Sequence, residues 1–159
     1  MTTTAPEPAT ADPLALDQQV CFAVVVAARQ VVALYRPILE PMGLTHPQYL
    51  VMLALWQHAP LSVKRLSELL QLDPGTLSPL LKRLEAVDLI TRRRNAADER
   101  HLAVELTDRG WALRQQALQV PPAVMGRLGM SVAELQELHA SLTTVIQATQ
   151  AALHQENGR

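Results

Sequence analysis

A capped helix followed at once by a short β-hairpin occupies residues 73–106. Asp73-Pro74 combines a side chain that caps helix N-termini with a proline suited to the first helical turn. Residues 89–92 and 101–106 have the composition of two strands, and the turn between them falls at 95–98. The helix itself extends to about Val87 and keeps its apolar side chains on one face: Leu77, Leu80, Leu81 and Leu84. This order predicts the second helix and the wing of a winged helix-turn-helix.

Capping residues also place the two helices that precede this unit. Ser62 suits the N-cap of a short helix over residues 63–71, which would be the first helix of the helix-turn-helix. Thr45 and Gln48 form a capping box. The helix that follows this box is apolar on nearly all sides, so we expect it to be central and buried.

Further helices are predicted at both ends of the chain. Apolar residues recur at three- and four-residue steps over residues 14–40, where Pro37 and Pro41 are expected to kink or break the helix near its end. After the hairpin, Thr107 starts a helix that is interrupted at Pro121-Pro122. Ser131 and Glu134 form a second capping box, which opens a last helix to about residue 153.

Composition agrees with one mainly α domain that carries a small β-hairpin wing. The 159 residues allow a single domain, expected at 12–155 after a disordered tail at 1–11. No apolar run approaches the roughly 18 residues that cross a membrane, and the start of the chain lacks the features of a signal peptide. The single cysteine cannot form an internal disulfide. We therefore expect a cytoplasmic protein without membrane contact.

The charge distribution favours nucleic-acid binding by one segment of the chain. The net charge is only −1, but residues 64–100 hold eight Lys or Arg against six Asp or Glu. The outer face of the predicted second helix suits the major groove, with small side chains near base edges and cations on phosphates: Thr76, Ser78, Pro79, Lys82 and Arg83. The hairpin carries arginines that can enter a minor groove: Arg92, Arg93, Arg94 and Arg100. Asp98 can orient the Arg100 guanidinium by a paired hydrogen bond. The alternative is a solvated basic hairpin on a helical protein.

These segments resemble the recognition helix and wing of the MarR family of transcription regulators. The resemblance lies in residues 73–85, 89–92 and 98–100, and Asp98 with Arg100 matches the family's Asp-x-Arg wing signature. It extends over roughly 14–155. It implies a winged helix-turn-helix at about 45–106 in a DNA-binding regulator, with repression as the expected mode. It also implies a homodimer, formed by helices at about 13–41 and 107–154, on a near-palindromic double-stranded operator.

Other segments resemble the organic hydroperoxide resistance branch of that family. They are residues 19–23, 35–37 and 43–53. The resemblance implies that Cys21 is a peroxide-reactive thiol, contacted by two tyrosines of the partner subunit, and that its oxidation releases DNA. Tyr35 matches the first tyrosine and lies fourteen residues after Cys21. That spacing is roughly 21 Å of helical rise, so a contact with Cys21 would have to cross the dimer.

The position of the second tyrosine is occupied by His46, which is a departure from the branch. A neutral imidazole can donate a hydrogen bond to the sulfur, whereas a cationic one would favour the thiolate. Alternatively, His46 is an ordinary exposed residue of a first helical turn. Tyr49, one turn further on, is the other candidate for this role, although packing in the core is the expectation for it.

With one cysteine in the chain, oxidised Cys21 has four possible fates. It can remain a sulfenic acid, cyclise onto a backbone nitrogen, pair with a small cellular thiol, or overoxidise. Competing functions remain open. Cys21 can be a structural residue in a regulator that binds an apolar or phenolic effector, with Tyr35 and His46 as polar anchors. The five histidines show no metal-ligand spacing, so we expect no metal and no cofactor, and nothing in the sequence favours an enzyme.

Overall fold

The computed structural model describes residues 12–95 and 98–157, without the side chains of 95, 98–101 and 157. Seven helices and three short strands are present in this part of the chain. The helices are α1 (Val20–Leu39), α2 (His46–His58), α3 (Val63–Leu70), α4 (Pro74–Ala86), α5 (Asp108–Ala117), α6 (Val120–Leu128) and α7 (Val132–Asn157). The strands are β1 (Leu61–Ser62), β2 (Ile90–Asn95) and β3 (Asp98–Leu106). The predicted class, mainly α with a β-hairpin wing, is confirmed, whereas the predicted tail at 1–11 lies outside the described residues.

Helix α1 differs from its prediction at both ends. It begins at Val20 rather than near Leu14, because residues Leu16–Gln18 form a separate 3-10 turn. Pro37 does not break it: the helix continues through Pro37 to Leu39 and passes into a second 3-10 turn at Glu40–Met42. Gly43 then ends the turn with φ of 66°, a left-handed conformation that glycine adopts without a steric penalty. The expected break therefore falls after Met42.

Helix α2 lies at the centre of the domain, as predicted. Its capping box is formed: the Thr45 hydroxyl accepts a hydrogen bond from the backbone N–H of Gln48, and the Gln48 side chain accepts one from the backbone N–H of Thr45. Tyr49, Val51, Met52 and Leu55 are buried in the core. The core continues into α4, where the four predicted leucines are buried, and into the sheet: Leu77, Leu80, Leu81, Leu84, Ile90 and Val104.

The wing is a three-stranded antiparallel sheet in the order β1-β3-β2. The sequence predicted only the hairpin of β2 and β3. β1 was missed because it has two residues, and pairing with Val104 and Ala103, some forty positions along the chain, creates it. β3 is longer than predicted, since it begins at Asp98 rather than His101. The turn residues 96 and 97 lie outside the described part of the chain.

The start of α5 is packed tightly against the base of the wing. Thr107 caps the helix by accepting a hydrogen bond from the backbone N–H of Gly110, and its hydroxyl donates to the carbonyl oxygen of Asp88 at 2.6 Å. A Cβ at Gly110 would lie 2.1 Å from the carbonyl oxygen of Leu89. The carbonyl oxygen of Gly110 accepts a hydrogen bond from Trp56 Nε1 at 2.9 Å. Position 110 therefore admits only glycine at this distance between α5 and the sheet.

The two terminal helices expose much of their apolar surface. Helix α7 opens with the predicted capping box of Ser131 and Glu134. None of its described side chains is buried. Its contact with the helix-turn-helix includes a hydrogen bond between Gln150 and Gln71 at 2.8 Å. Val20–Met42 is, by length and composition alone, long and apolar enough to cross a membrane. The sequence predicted no such segment, since Arg29, Gln30 and Arg36 divide its apolar residues into shorter runs.

Candidate nucleic-acid interface and thiol site

The outer face of α4 is exposed along its whole length. The predicted contact residues all lie on this face, opposite the buried leucines: Thr76, Ser78, Pro79, Lys82 and Arg83. α3 precedes α4 and ends at Gln71, which adopts a left-handed φ of 52°. The Ser67 hydroxyl donates to the carbonyl oxygen of Leu72 and so fixes the turn between the two helices. The fold thus presents α4 to solvent as a recognition helix would be presented to a major groove.

The N-terminus of α4 is fixed by two hydrogen bonds between Asp73 and Thr76. The Asp73 carboxylate accepts one from the backbone N–H of Thr76 at 2.9 Å and one from the Thr76 hydroxyl at 2.6 Å. These bonds hold the pKa of Asp73 below its ordinary value, since both favour the ionised carboxylate. The sequence indicated the cap, but not that it would engage the hydroxyl of a predicted contact residue.

The arginines of the wing do not have equivalent surroundings. Arg92 is partly buried, and its guanidinium donates two hydrogen bonds to Glu85 Oε2 of α4, at 3.0 Å from Nε and 2.6 Å from Nη2. The same bonds lower the pKa of Glu85. Arg93 and Arg94 are exposed. The side chains of Asp98 and Arg100 lie outside the described residues, so their predicted pairing stays a prediction.

Glu85 is the residue that sequence reasoning missed at this surface. It precedes Arg92 by seven positions across the end of α4, and no local pattern connects the two side chains. The pair links the recognition helix to β2 and gives Arg92 a structural contact that competes with its predicted DNA contact. Only the three-dimensional approach of β2 to α4 reveals it.

Cys21 lies in the first turn of α1 and is exposed. Its neighbours on the helix are apolar and also exposed, among them Val20 at 70%, Phe22 at 42% and Val25 at 46%. An isolated cysteine on an apolar helix is more often a small buried residue of the core. Within one subunit, Cys21 is not such a residue.

Tyr35 and His46 are brought together at the other end of α1. Their ring centroids are 4.8 Å apart in an edge-to-face arrangement, and both side chains are half-buried. His46 is therefore not the ordinary exposed residue of the alternative interpretation. Burial lowers the pKa of His46 and raises that of Tyr35, so the neutral imidazole and the protonated phenol are the favoured forms near neutral pH. This disfavours the cationic imidazole that the sequence left open.

Tyr49 forms an aromatic cluster with Tyr35 and His46 and extends this cluster into the core. Its ring lies 6.0 Å from Tyr35 and 6.5 Å from Trp56, measured between centroids, and its side chain is 4% exposed. Burial and the neighbouring Tyr35 both raise its pKa. Tyr49 is thus a core residue, as expected, and not an alternative to His46. Because α1 is one continuous helix from Val20 to Leu39, the predicted separation of roughly 21 Å between Cys21 and Tyr35 of one chain stands.

Two surface grooves adjoin the cluster. One, of about 540 Å³, runs beside His46 at the junction of α1 and α2: Val32, Arg36, Glu40, Gly43, Leu44, Thr45, His46 and Pro47. The other, of about 460 Å³, lies between α2, α5 and α6: Tyr49, Leu53, Trp56, Gln57, Arg114, Ala117, Leu118 and Pro121. No group of three His, Cys, Asp or Glu side chains that would hold a metal ion occurs among the described residues.

Comparison with known proteins gives consistent matches. Residues 33–116 match the family model for transcriptional regulators of the SarA/Rot type. The organic hydroperoxide resistance transcriptional regulator of Bacillus subtilis is 39% identical over 146 residues, which cover 92% of this chain and 97% of that protein. The HTH-type transcriptional regulator TtmR of Methylorubrum extorquens is 45% identical over 134 residues, or 84% of this chain and 69% of that protein.

Solved structures extend the comparison to DNA complexes. Reduced AbfR bound to DNA superposes with a TM-score of 0.75 and 32% identity, and the match covers 87% of this chain and 94% of that chain. AbfR has also been solved in an overoxidised form bound to DNA, with a TM-score of 0.68 and 31% identity over 84% of this chain and 94% of that chain.

Proposed function

Since the chain belongs to the MarR-type family of winged-helix transcription regulators, we propose that it is a homodimeric repressor that senses organic hydroperoxides through Cys21 and then releases its operator. Its DNA-binding surface combines the exposed face of α4 with the wing arginines other than Arg92, whose guanidinium is engaged by Glu85. The observation that carries the sensing role is the placement of Cys21 and the Tyr35–His46 pair at opposite ends of one face of α1, which is exposed between them.

The geometry of α1 supports a sensing site shared between two subunits. Fourteen residues make close to four helical turns, so Cys21 and Tyr35 lie on the same face. Between them this face carries Val25, Ala28 and Val32, all exposed in the single chain. In an antiparallel pair of α1 helices with the two-fold axis at Ala28, position 21 of one subunit lies opposite position 35 of the other. Each dimer would then hold two identical Cys21–Tyr35–His46 sites.

The uncovered surface of the other terminal segments supports the same dimer. Apolar side chains recur at helical spacing along α7 and are 38–58% exposed: Leu138, Leu142, Val145, Ile146 and Leu153. Leu14 and Leu16, which precede α1, are 86% and 62% exposed. In the proposed antiparallel pair of α1 helices, this segment of the partner would lie near the groove beside His46. Large apolar surfaces on a soluble regulator are expected to be buried by association.

A membrane does not account for α1 as well as a dimer does. The last part of the helix packs on the core through Leu34, Ile38 and the buried Leu39. Arg29 and Arg36 are exposed along it. A spanning helix would need these charges to lie in hydrocarbon, which is costly. We therefore propose a cytoplasmic protein, like the DNA-binding regulators to which it is similar.

Oxidation of Cys21 follows from ordinary thiol chemistry. The thiolate sulfur attacks the terminal oxygen of a hydroperoxide, the O–O bond breaks, and the sulfur retains the hydroxyl as sulfenic acid. The alkoxide leaves and takes up a proton, for which the protonated Tyr35 phenol is the proposed donor, and the resulting phenolate is reprotonated by solvent. The neutral His46 imidazole can donate a hydrogen bond to the leaving oxygen. The thiol is oxidised by two electrons and the peroxide is reduced to an alcohol. A small cellular thiol can then displace the hydroxyl as water and form a mixed disulfide.

DNA release would follow from the position of Cys21 at a packed boundary. An oxygen or a bulky thiol at this sulfur separates the paired helices and moves the recognition helices out of register with successive major grooves. Overoxidised AbfR was solved on DNA. We therefore propose the sulfenic acid and its mixed disulfide, rather than overoxidised cysteine, as the releasing forms.

The test is a gel shift of the reduced protein and Cys21→Ser on one duplex, selected beforehand by the reduced protein from a random library. Each complex is titrated with cumene hydroperoxide and with hydrogen peroxide. The proposal expects release of wild type alone, at lower doses of the organic peroxide, with binding restored by dithiothreitol. Release of Cys21→Ser at the same dose, or retention of both proteins, would remove Cys21 as the sensor.

The second candidate is a regulator that binds an apolar or phenolic effector without covalent change. The groove between α2, α5 and α6 favours it, because its apolar wall ends at Arg114, a suitable anchor for an acidic ligand. In this case Cys21→Ser would respond to the effector as wild type does.

We also propose that the chain is not an enzyme. Peroxide consumption should then stop after stoichiometric oxidation of Cys21 when no reductant is added. Continued turnover of cumene hydroperoxide under those conditions would contradict this.

A further inference from the structure

We propose that Asp73 determines which bases the recognition helix prefers, by making the hydroxyl of Thr76 accept, and not donate, hydrogen bonds towards DNA. The base that faces Thr76 should then be an amino base, adenine or cytosine, rather than a keto base, guanine or thymine. This inference rests on the proposed DNA-binding role of α4. It concerns the choice of sequence and is independent of peroxide sensing.

The first step is the assignment of the hydroxyl proton. Thr76 Oγ1 lies 2.6 Å from Asp73 Oδ2, and the other carboxylate oxygen accepts the backbone N–H of Thr76 at 2.9 Å. An ionised carboxylate has no hydrogen to donate, so the proton between the two side chains belongs to Thr76. A hydroxyl has one hydrogen, and this one is committed to Asp73. The oxygen therefore offers only lone pairs to a further partner.

The second step is the position of this oxygen. Thr76 is the third residue of α4 and is exposed, whereas the next residue, Leu77, is fully buried. The N-terminal residues of a recognition helix are those that contact base edges in the major groove. Thr76 is thus placed where a single hydrogen bond can contribute to sequence preference.

The third step is the pattern of groups in the major groove. Adenine presents the N6 amine and cytosine the N4 amine, which are donors, whereas guanine O6 and thymine O4 are acceptors. The N7 acceptor is present on both purines and so does not distinguish adenine from guanine. An acceptor-only hydroxyl pairs with an amine and leaves a facing carbonyl without a donor. One neutral hydrogen bond corresponds to a preference of about three- to tenfold for the amino base.

Asp73→Asn is the decisive variant, because asparagine is as good an N-cap as aspartate. Its Oδ1 can still accept the backbone N–H of Thr76, but the atom that replaces Oδ2 is an NH₂ group, which donates to the Thr76 oxygen. The hydroxyl proton is then free to point towards DNA and to pair with a keto base. The preference at this position should reverse, whereas loss of a structural cap alone would weaken binding to all sequences.

The experiment selects bound duplexes from a library with a random central segment and compares base frequencies among wild type, Asp73→Asn, Thr76→Ser and Thr76→Val, all reduced. We expect one position per half-site with about three- to tenfold enrichment of adenine or cytosine in wild type and in Thr76→Ser. Asp73→Asn should enrich guanine or thymine there, and Thr76→Val should show neither preference. The loss of a negative charge in Asp73→Asn changes overall affinity, but not the ratio between bases.

Three outcomes would overturn the inference. An amino-base preference that persists in Asp73→Asn would show that Asp73 does not orient the hydroxyl. Persistence in Thr76→Val would assign the preference to another side chain. If reduced wild type enriches no sequence, DNA recognition by α4 fails, and the inference fails with it. The last result differs from the first two, in which specific binding is retained.

Discussion

Gly110 shows how one residue can fix the distance between two parts of the domain. Its missing side chain allows α5 to approach the backbone at Leu89, where a Cβ would lie 2.1 Å from a carbonyl oxygen. Its own carbonyl accepts the indole N–H of Trp56. The base of the wing, α5 and α2 meet at this point.

Gly110→Ala should therefore destabilise the protein. Backbone atoms, which cannot rotate away, would have to move, and overpacking of this kind costs about 3 kcal/mol. Gly126→Ala is the matched control, because a Cβ there meets nothing within 4 Å and α6 would gain about 0.5–1 kcal/mol from the better helix former. The measurement is urea unfolding at one fixed protein concentration. Equal free energies of unfolding for the two variants would contradict the close approach at position 110.

Protonation of His46 makes the stability of the protein depend on pH. Burial lowers its pKa from the ordinary value of 6.5, so below that pH the unfolded chain binds more protons at this residue than the folded chain does. The contribution of His46 to stability is therefore present above about pH 6.5 and decreases as the pH falls towards its folded value.

The free energy of unfolding of wild type should thus fall more steeply between pH 7 and pH 5 than that of His46→Gln. Gln keeps a polar side chain at the site but does not titrate, so the difference between the two curves isolates this group from the other histidines. Parallel curves would show that the imidazole is not desolvated in the folded protein.

At the scale of elements, the link between α4 and β2 distinguishes the arginines of the wing. Arg92 is held by Glu85, whereas Arg94 is exposed further along the strand. A phosphate contact releases counterions on binding, so its removal reduces the slope of log affinity against log salt by about one.

Arg94→Met should reduce this slope by about one for each protomer and leave thermal stability nearly unchanged. Arg92→Met should have little effect on the slope, and should instead lower stability and loosen the wing against α4. Both are measured by fluorescence anisotropy on one duplex at several salt concentrations, together with thermal unfolding. The same change in slope for both variants would mean that the Arg92–Glu85 ion pair breaks when the protein binds DNA.

The elements also show what a sequence can predict. The sequence predicts N-caps at Thr45, Ser62, Asp73 and Ser131, and a helix start at Thr107. Each of these five side chains accepts a capping backbone hydrogen bond in the structure, because a cap is a contact within three residues. β1 and the Glu85–Arg92 pair depend on segments that meet only in the folded chain, and both were missed. The contact between Tyr35 and His46 likewise depends on two segments that meet only in the folded chain. The resemblance to a family placed these two residues at one site, whereas their spacing in the sequence did not.

At the scale of the whole molecule, a shared sensing site requires that α1 pairs with its copy through the face that carries Ala28. A carboxylate at this position would face its own copy across the two-fold axis, without a counterion and away from water.

Ala28→Glu should therefore give a monomer that binds the selected duplex at least tenfold more weakly, since one half-site alone remains. Gln30→Glu introduces a carboxylate on the opposite face, about 180° around the helix, and should remain a dimer. Sedimentation velocity measures both variants. A dimeric Ala28→Glu would place the interface elsewhere.

The most direct test of the shared sensing site is a mixed dimer, purified through two different affinity tags. One protomer carries Cys21→Ser, and the other carries Tyr35→Phe with His46→Phe, so that each dimer contains a single Cys21. The measurement is the rate of sulfenic acid formation with cumene hydroperoxide. If the site is built across the dimer, this cysteine meets an intact Tyr35 and His46 of the other protomer and should react as fast as wild type. A rate as slow as that of the Tyr35→Phe, His46→Phe homodimer would contradict the account.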